Sequence, residues 1–351
     1  MRDKIFLKTS NNKDIAWINT AKAVCMLLVY INHCEFYANG SFFYIRPFYR
    51  LFFVNLFFIV SGYLFFRKQL TQPTIDEQRK EFVKGTGKKT FANIIFRIFI
   101  PTILFGILFF IPKIIVRGTG FDVPFFLKDV FLGNWSWFTS TLFVSELLLV
   151  ILLLTRVRNI SFYLIISIIL GVFAAFLPHE SNVVWHWQSG ACALSLLVLG
   201  GIFWKCEKLF DKIFGKPVVL ITTLILYCYV VYFSGWQLKW FVSDFNFTLL
   251  GLVVMIAACV IMIYICKILP RIGWLDYIGK NSLVFYMLCG GYPNIMAVLL
   301  QRISANSTLN VVVSSLLSIV LAYISTMLIN KYLPFLIDLR SIQKRKKEII
   351  I

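Results

Sequence analysis

Two side chains stand out in the first apolar run, "AKAVCMLLVYINHCEFY" at residues 21–37: Lys22 at its start and His33 near its end. A lysine can hold an anion, and a histidine can take a proton from a hydroxyl near neutral pH. Eleven residues separate them, which is close to three full helical turns, so both project from one face roughly 16 Å apart. Asn19 and Met26 fall near the same stripe. Ionisable side chains within a membrane helix are costly and mark functional sites by default. Each also has an ordinary explanation: Lys22 can snorkel to headgroups, and His33 can hydrogen-bond a neighbouring helix.

Further polar residues fall at matching depths. "NLFFIVSGYLFFRK" brings Ser61, Gly62 and Tyr63 toward the end where Lys22 lies, and "FRIFIP" places Arg97 about one turn into the membrane. Gly62 permits close backbone approach, and an arginine can fork onto phosphate oxygens. Lys22, Ser61 and Arg97 therefore predict an anion site on the inner side, although Arg97 alone could equally snorkel to lipid phosphate. Glu146 lies near mid-bilayer, where a carboxylate needs a partner such as Lys22 or Arg97. Asn55 lies deep in the second span. Gly290 and Gly291 weaken the ninth and suit close packing or a cavity wall. On the outer side Trp135 ends a loop, and "PHESNVVWHWQ" gathers His179, Glu180 and His186. Two histidines without an evident third ligand do not make a metal site, and no metal is expected.

The elements that must position these residues are membrane helices. The chain has 351 residues, 59% of them hydrophobic, with 36 Phe, 15 Tyr and 9 Trp. A single soluble core could not bury that much apolar surface, and runs of about 20 apolar residues recur throughout. Ten spans are predicted near 15–35, 48–66, 93–111, 135–154, 160–177, 189–204, 218–234, 246–266, 281–300 and 309–330. The polar first residues predict no cleavable signal. The net charge of +19 invites a nucleic-acid reading, but its distribution argues against one. With the N-terminus inside, 26 of the 35 Lys and Arg fall in cytoplasmic segments and seven in outer ones, which is the positive-inside pattern with both termini cytoplasmic.

The expected fold is thus an all-α integral membrane protein of about ten transmembrane helices, one polytopic domain over residues 1–351. It has a basic cytoplasmic loop at 67–92 and a basic tail at 331–351, both able to meet anionic lipid. Trp135, Trp137, Trp185, Trp187, Trp236 and Trp240 fall at outer boundaries and predict an aromatic belt. The eight cysteines show no C-x-x-C pair or regular spacing and read as buried thiols.

"WINTAKAVCMLLVYINHC" resembles the opening helix of the acyltransferase-3 family, membrane-bound O-acyltransferases that acetylate bacterial surface polysaccharides. That family carries a basic residue, usually Arg, with ten residues between it and a histidine; Lys22 and His33 meet the spacing. "FFVNLFFIVSGYLFFRK", "FRIFIP", "WFTSTLFVSELL" and "IGKNSLVFYM" resemble later segments. Lys22 replaces the usual Arg, Asn19 and Asn55 stand where acidic residues are common, and "YMLCGG" has no histidine after its tyrosine.

The resemblance implies an O-acetyltransferase of the bacterial inner membrane, with acetyl-CoA as cytosolic donor and a glycan as acceptor. It implies His33 as catalytic base, with Glu35 assisting only if the helix ends there. Lys22, Ser61, Gly62, Tyr63 and Arg97 then face the donor. Glu146, Asn55, Trp135 and His186 are candidates for the acceptor. A transporter or flippase for a surface glycan is the alternative reading of the same polar path.

Overall fold

A computed structural model describes residues 16–38, 45–69, 87–117, 120–154, 159–178, 184–242 and 245–341, and 84% of these are helical. In chain order the helices are α1 (Ala16–Tyr37), α2 (Arg46–Arg67), α3 (Lys88–Phe110), α4 (Trp137–Leu154), α5 (Ile160–Phe176), α6 (Val184–Lys205) and α7 (Glu207–Phe214). They continue with α8 (Pro217–Ser234), α9 (Leu249–Ile268), α10 (Gly273–Lys280), α11 (Ser282–Cys289), α12 (Tyr292–Gln301) and α13 (Ser307–Tyr332). A two-residue hairpin, β1 (Trp240–Phe241) against β2 (Asn246–Phe247), precedes α9. Most of the 67–92 loop, the end of the tail, His179 and Glu180 lie outside the described residues.

Among the described residues, seven helices (α2, α3, α4, α6, α8, α9 and α13) are long and apolar enough to cross a membrane. The chain is an integral membrane protein of helical class. Against the expected ten spans, the remaining three intervals differ for physical reasons. α1 carries Asn19, Lys22, His33 and Glu35, which dilute its apolar character. α5 has 17 residues. The expected ninth span is broken into α11 and α12, bent by 43°. A Cβ on Gly290 would meet nothing within 4 Å and one on Gly291 would make only ordinary contacts, with Phe109 at 3.6 Å and the Leu288 carbonyl at 3.9 Å, so this pair interrupts the helix rather than admitting a close neighbour.

Two helices organise the bundle. α6 packs on α2, α4 and α5. Its crossing with α2 is a backbone contact through small residues: a Cβ on Gly62 would lie 1.9 Å from the Leu197 carbonyl oxygen, and one on Gly200 would lie 1.9 Å from that of Ile59. α1 packs on α2 and on α9 to α13. Its start is fixed to α10, where Gly279 lets the Asn19 backbone approach. There Asn19 Nδ2 donates to Asp276 Oδ1 at 2.8 Å, and Arg271 and Lys280 bind the other oxygen at 2.6 and 3.3 Å. Burial alone would raise the Asp276 carboxyl, but these hydrogen bonds and the Lys280 charge hold it below its ordinary value.

Gly200→Ala forces its methyl into backbone and is expected to cost at least about 1–3 kcal/mol, read as a lowered melting midpoint in detergent. Asp276 contributes stability above the ordinary carboxylate value, and this is lost as pH falls through its depressed folded value. Asp276→Asn is therefore expected to be about 1–3 kcal/mol less stable than wild type near neutrality. The gap should close below roughly pH 4; a gap that persists in acid contradicts the charge-based anchor.

Candidate active site

At the C-terminal end of α1 lies a cavity of about 230 Å³. His33 and Asn32 form one wall. Arg46, Arg50 and Asn55 of α2 form another, with Trp137 at the start of α4, Tyr286 of α11 and Trp240 of β1 completing it. Pockets that enclose a whole small ligand run to about 300–1,000 Å³; this one fits the reacting end of an acceptor.

Local sequence explains the placement. Pro47 opens α2 at a position where its missing N–H costs nothing. Arg46 and Arg50, four residues apart, then share a helical face. A turn over residues 51–54 interrupts α2, and Asn55 stitches it: Nδ2 donates to the Leu51 carbonyl at 2.6 Å and to that of Trp240 at 3.1 Å. Asn55 thus borders the cavity and also ties down the hairpin. Phe245 takes the left-handed φ of 51° that the hairpin turn uses.

His33 stacks on Tyr37, ring centroids 6.2 Å apart, and among the described residues its ring nitrogens have no hydrogen-bond partner. Glu35 does not assist it through a helix end, because α1 runs on to Tyr37. It is instead buried and accepts the Tyr49 hydroxyl at 2.9 Å, and Arg46 and Arg50 act electrostatically on that tyrosine.

The expected inner cluster separates into distinct places. Half-buried Lys22 interacts electrostatically with Glu146 of α4. Met26 and Val29, both buried, fill the stripe between Lys22 and His33, and Lys22 does not border the cavity. Gly62 serves the α2–α6 crossing. Tyr63 donates to Glu207 at 2.7 Å beside Lys267, which binds Glu207 and Asp211 at 2.8 and 2.7 Å. Ser61, next to them, is half-buried.

Arg97 is two-thirds exposed and lies 3.8 Å from Asp338, which also binds Arg340 at 2.7 Å. Arg97 sits in a π-helical turn, Ile95–Phe99. Pro101 has no N–H for the Arg97 carbonyl and would crowd it, so the turn widens and Ile100 N–H reaches back to Ile95. Such widened turns are frequent at functional sites.

The outer aromatic residues are not a simple belt. Trp137 and Trp240 turn into the cavity. Trp135 instead packs on Gly106 and Phe109 of α3. Trp185 and His186 both adopt left-handed backbone, φ 53° and 48°. That turn carries the Trp185 indole to Phe99 and Phe143, at centroid distances of 4.7 and 5.1 Å. His186 does not border the cavity.

The family model described as an acyltransferase domain, acyltransferase-3, matches residues 15–329. The chain belongs to the acyltransferase-3 family. It is accordingly a membrane acyltransferase, which uses an acyl donor and an acceptor. Comparison with curated proteins and with solved structures gives no match. Among the described residues of the acyltransferase no group of three or more side chains could hold a metal ion.

The sequence reading missed Asn32, Arg46, Arg50 and Tyr286 as site residues. The available signal was an i, i+4 arginine pair opening the helix after His33; those charges entered only the topology count.

Trp137→Ala is expected to lower acyl transfer at least tenfold through a raised KM for acceptor. Trp135→Ala should lower only the melting midpoint. Steady-state kinetics of both variants separates the two roles, and equal kinetic losses would contradict the assignment.

Proposed function

We propose that this acyltransferase is an O-acetyltransferase that moves an acetyl group from cytosolic acetyl-CoA to a hydroxyl of a cell-surface or lipid-linked glycan. In this reading the chain crosses a bacterial inner membrane ten times, with both termini cytoplasmic, and the His33 end of α1 faces outward. The observation that carries the reading is His33 on the wall of a polar cavity, its ring nitrogens without a protein partner, beside two indoles suited to a sugar face. The positive-inside bias supports the orientation.

His33 is the general base. The acceptor hydroxyl gives its proton to the neutral imidazole as its oxygen bonds to the thioester carbonyl carbon. The carbon–sulfur bond then breaks, and His33 returns the proton to the departing thiolate of CoA. Glu35 holds Tyr49, and with it the arginine-bearing turn, as a positioning residue. The donor's phosphates are drawn to the half-buried charge of Lys22, exposed Arg97 adds a separate positive charge on the inner side, and Ser61, Gly62 and Tyr63 support that end through packing. Between the two ends the acyl arm passes Met26, an unbranched side chain able to change rotamer. Glu146 balances Lys22 while no donor is bound.

His33→Ala is expected to lower transfer of labelled acetyl from acetyl-CoA by about 10²–10⁴-fold, with CoA binding to the purified protein retained. Unchanged transfer at equal expression would refute the base. Failure to bind CoA at all would favour a glycan transporter.

A further inference from the structure

α6 and α8 are both long and apolar enough to cross a membrane, and only residues 206–216 separate them. α7 fills that connection and touches both helices. It therefore lies along the membrane surface at which the two spans end, where a helix meets the bundle on one side and headgroups or water on the other.

The faces of α7 are sorted accordingly. Residues 207, 210, 211 and 214 share one side, and all four turn to the bundle. Glu207 and Asp211 both bind Lys267 of α9, at 2.8 and 2.7 Å. They also accept the hydroxyls of Tyr63 and Tyr264, at 2.7 and 2.6 Å. Phe210 and Phe214 lie against Phe203 and Tyr264, with ring centroids 5.1 and 5.7 Å apart. Lys267 in turn stands 5.6 Å from the Trp17 ring centre, so this face of α7 is braced against the start of α1.

Those contacts fix what faces outward. Leu209 and Ile213, one turn apart, are 57% and 41% exposed. Lys208 and Lys212, also one turn apart on the adjoining strip, are exposed, as are Lys205 at the end of α6 and Lys216 just before α8. Counting Lys267, five ammonium groups stand against two carboxylates, and both carboxylates point inward. The outward surface is thus a lysine strip beside an apolar pair. A soluble anion would meet the lysines but leave Leu209 and Ile213 in water. A phospholipid with a net negative headgroup satisfies both, its phosphate among the ammonium groups and its acyl chain over the apolar pair.

We propose that the outer face of α7 is a binding site for an anionic phospholipid, with Lys208 and Lys212 at the phosphate and Leu209 and Ile213 under the acyl chain. The bound lipid holds α7 in the headgroup layer, and through Lys267 it steadies the start of α1. The site is separate from the acetyl-transfer reading and stands or falls without it.

Site-directed photo-crosslinking tests it. The full chain, with benzoylphenylalanine in place of Leu209, is placed in vesicles of equal phosphatidylglycerol and phosphatidylcholine, and the adducts formed on illumination are weighed by mass spectrometry. Phosphatidylglycerol adducts are expected to exceed phosphatidylcholine adducts about tenfold. Lys208→Gln with Lys212→Gln should bring the ratio near one, and excess acetyl-CoA should leave it unchanged. The same probe in place of Ile213 serves should the first variant misfold. Equal adducts before the lysines are changed, a preference that survives the double substitution, loss of the lipid adducts to acetyl-CoA, or crosslinks to protein instead of lipid would each overturn the proposal.

Discussion

A polar helix can sit at the centre of a membrane bundle only if its polar groups find partners there, and α1 is built on that constraint. Nothing in hydrocarbon will hydrogen-bond an exposed amide, carboxylate or ammonium. Asn19 is bound by Asp276, Lys22 interacts with Glu146, and Glu35 accepts from Tyr49. Each partner comes from a different part of the chain: α10, α4 and α2. The pairs that make α1 tolerable in the membrane therefore also fix it against the helices around it. His33 is the exception. It borders a cavity, and that difference singles it out more sharply than its residue type does.

The remainder of the architecture keeps that cavity in place. α2 carries Arg46 and Arg50 to the cavity at the end of α1, and Asn55 secures both the turn at residues 51–54 and the hairpin carrying Trp240. The rigid small-residue crossing of α2 with α6 supports this from the other side. Placing a site on interlocked helices rather than on loops holds its groups to the tolerance that proton transfer requires.

The sequence made some of this legible and hid the rest for identifiable reasons. The apolar intervals and the Lys22–His33 stripe follow from periodicity, and among the described residues seven of the ten intervals hold a helix long and apolar enough to span a membrane. Glu146 as a partner of Lys22 was foreseeable from depth alone. The roles of Glu35, Tyr63 and Trp135 were not, because each is decided by a residue far away in sequence: Tyr49, Glu207 and Gly106. The inner cluster dissolved for the same reason. Similar depth in the membrane does not put residues on facing sides, and Arg97 turns to Asp338 in the segment after α13. The arginine pair was visible but read only for its charge. Its meaning needed the turn at residues 51–54, which no hydropathy pattern announces.

The central claim is that α1 carries a donor from its Lys22 end to a base at its His33 end. A structure determined with a non-transferable acetyl-CoA analogue tests it most directly. The account predicts CoA phosphates at the Lys22 end and the acyl carbonyl inside the His33 cavity, close enough for an acceptor oxygen to bridge them at about 3–3.5 Å. An acyl group lying outside that cavity, or CoA phosphates seated on Arg46 and Arg50, would contradict it.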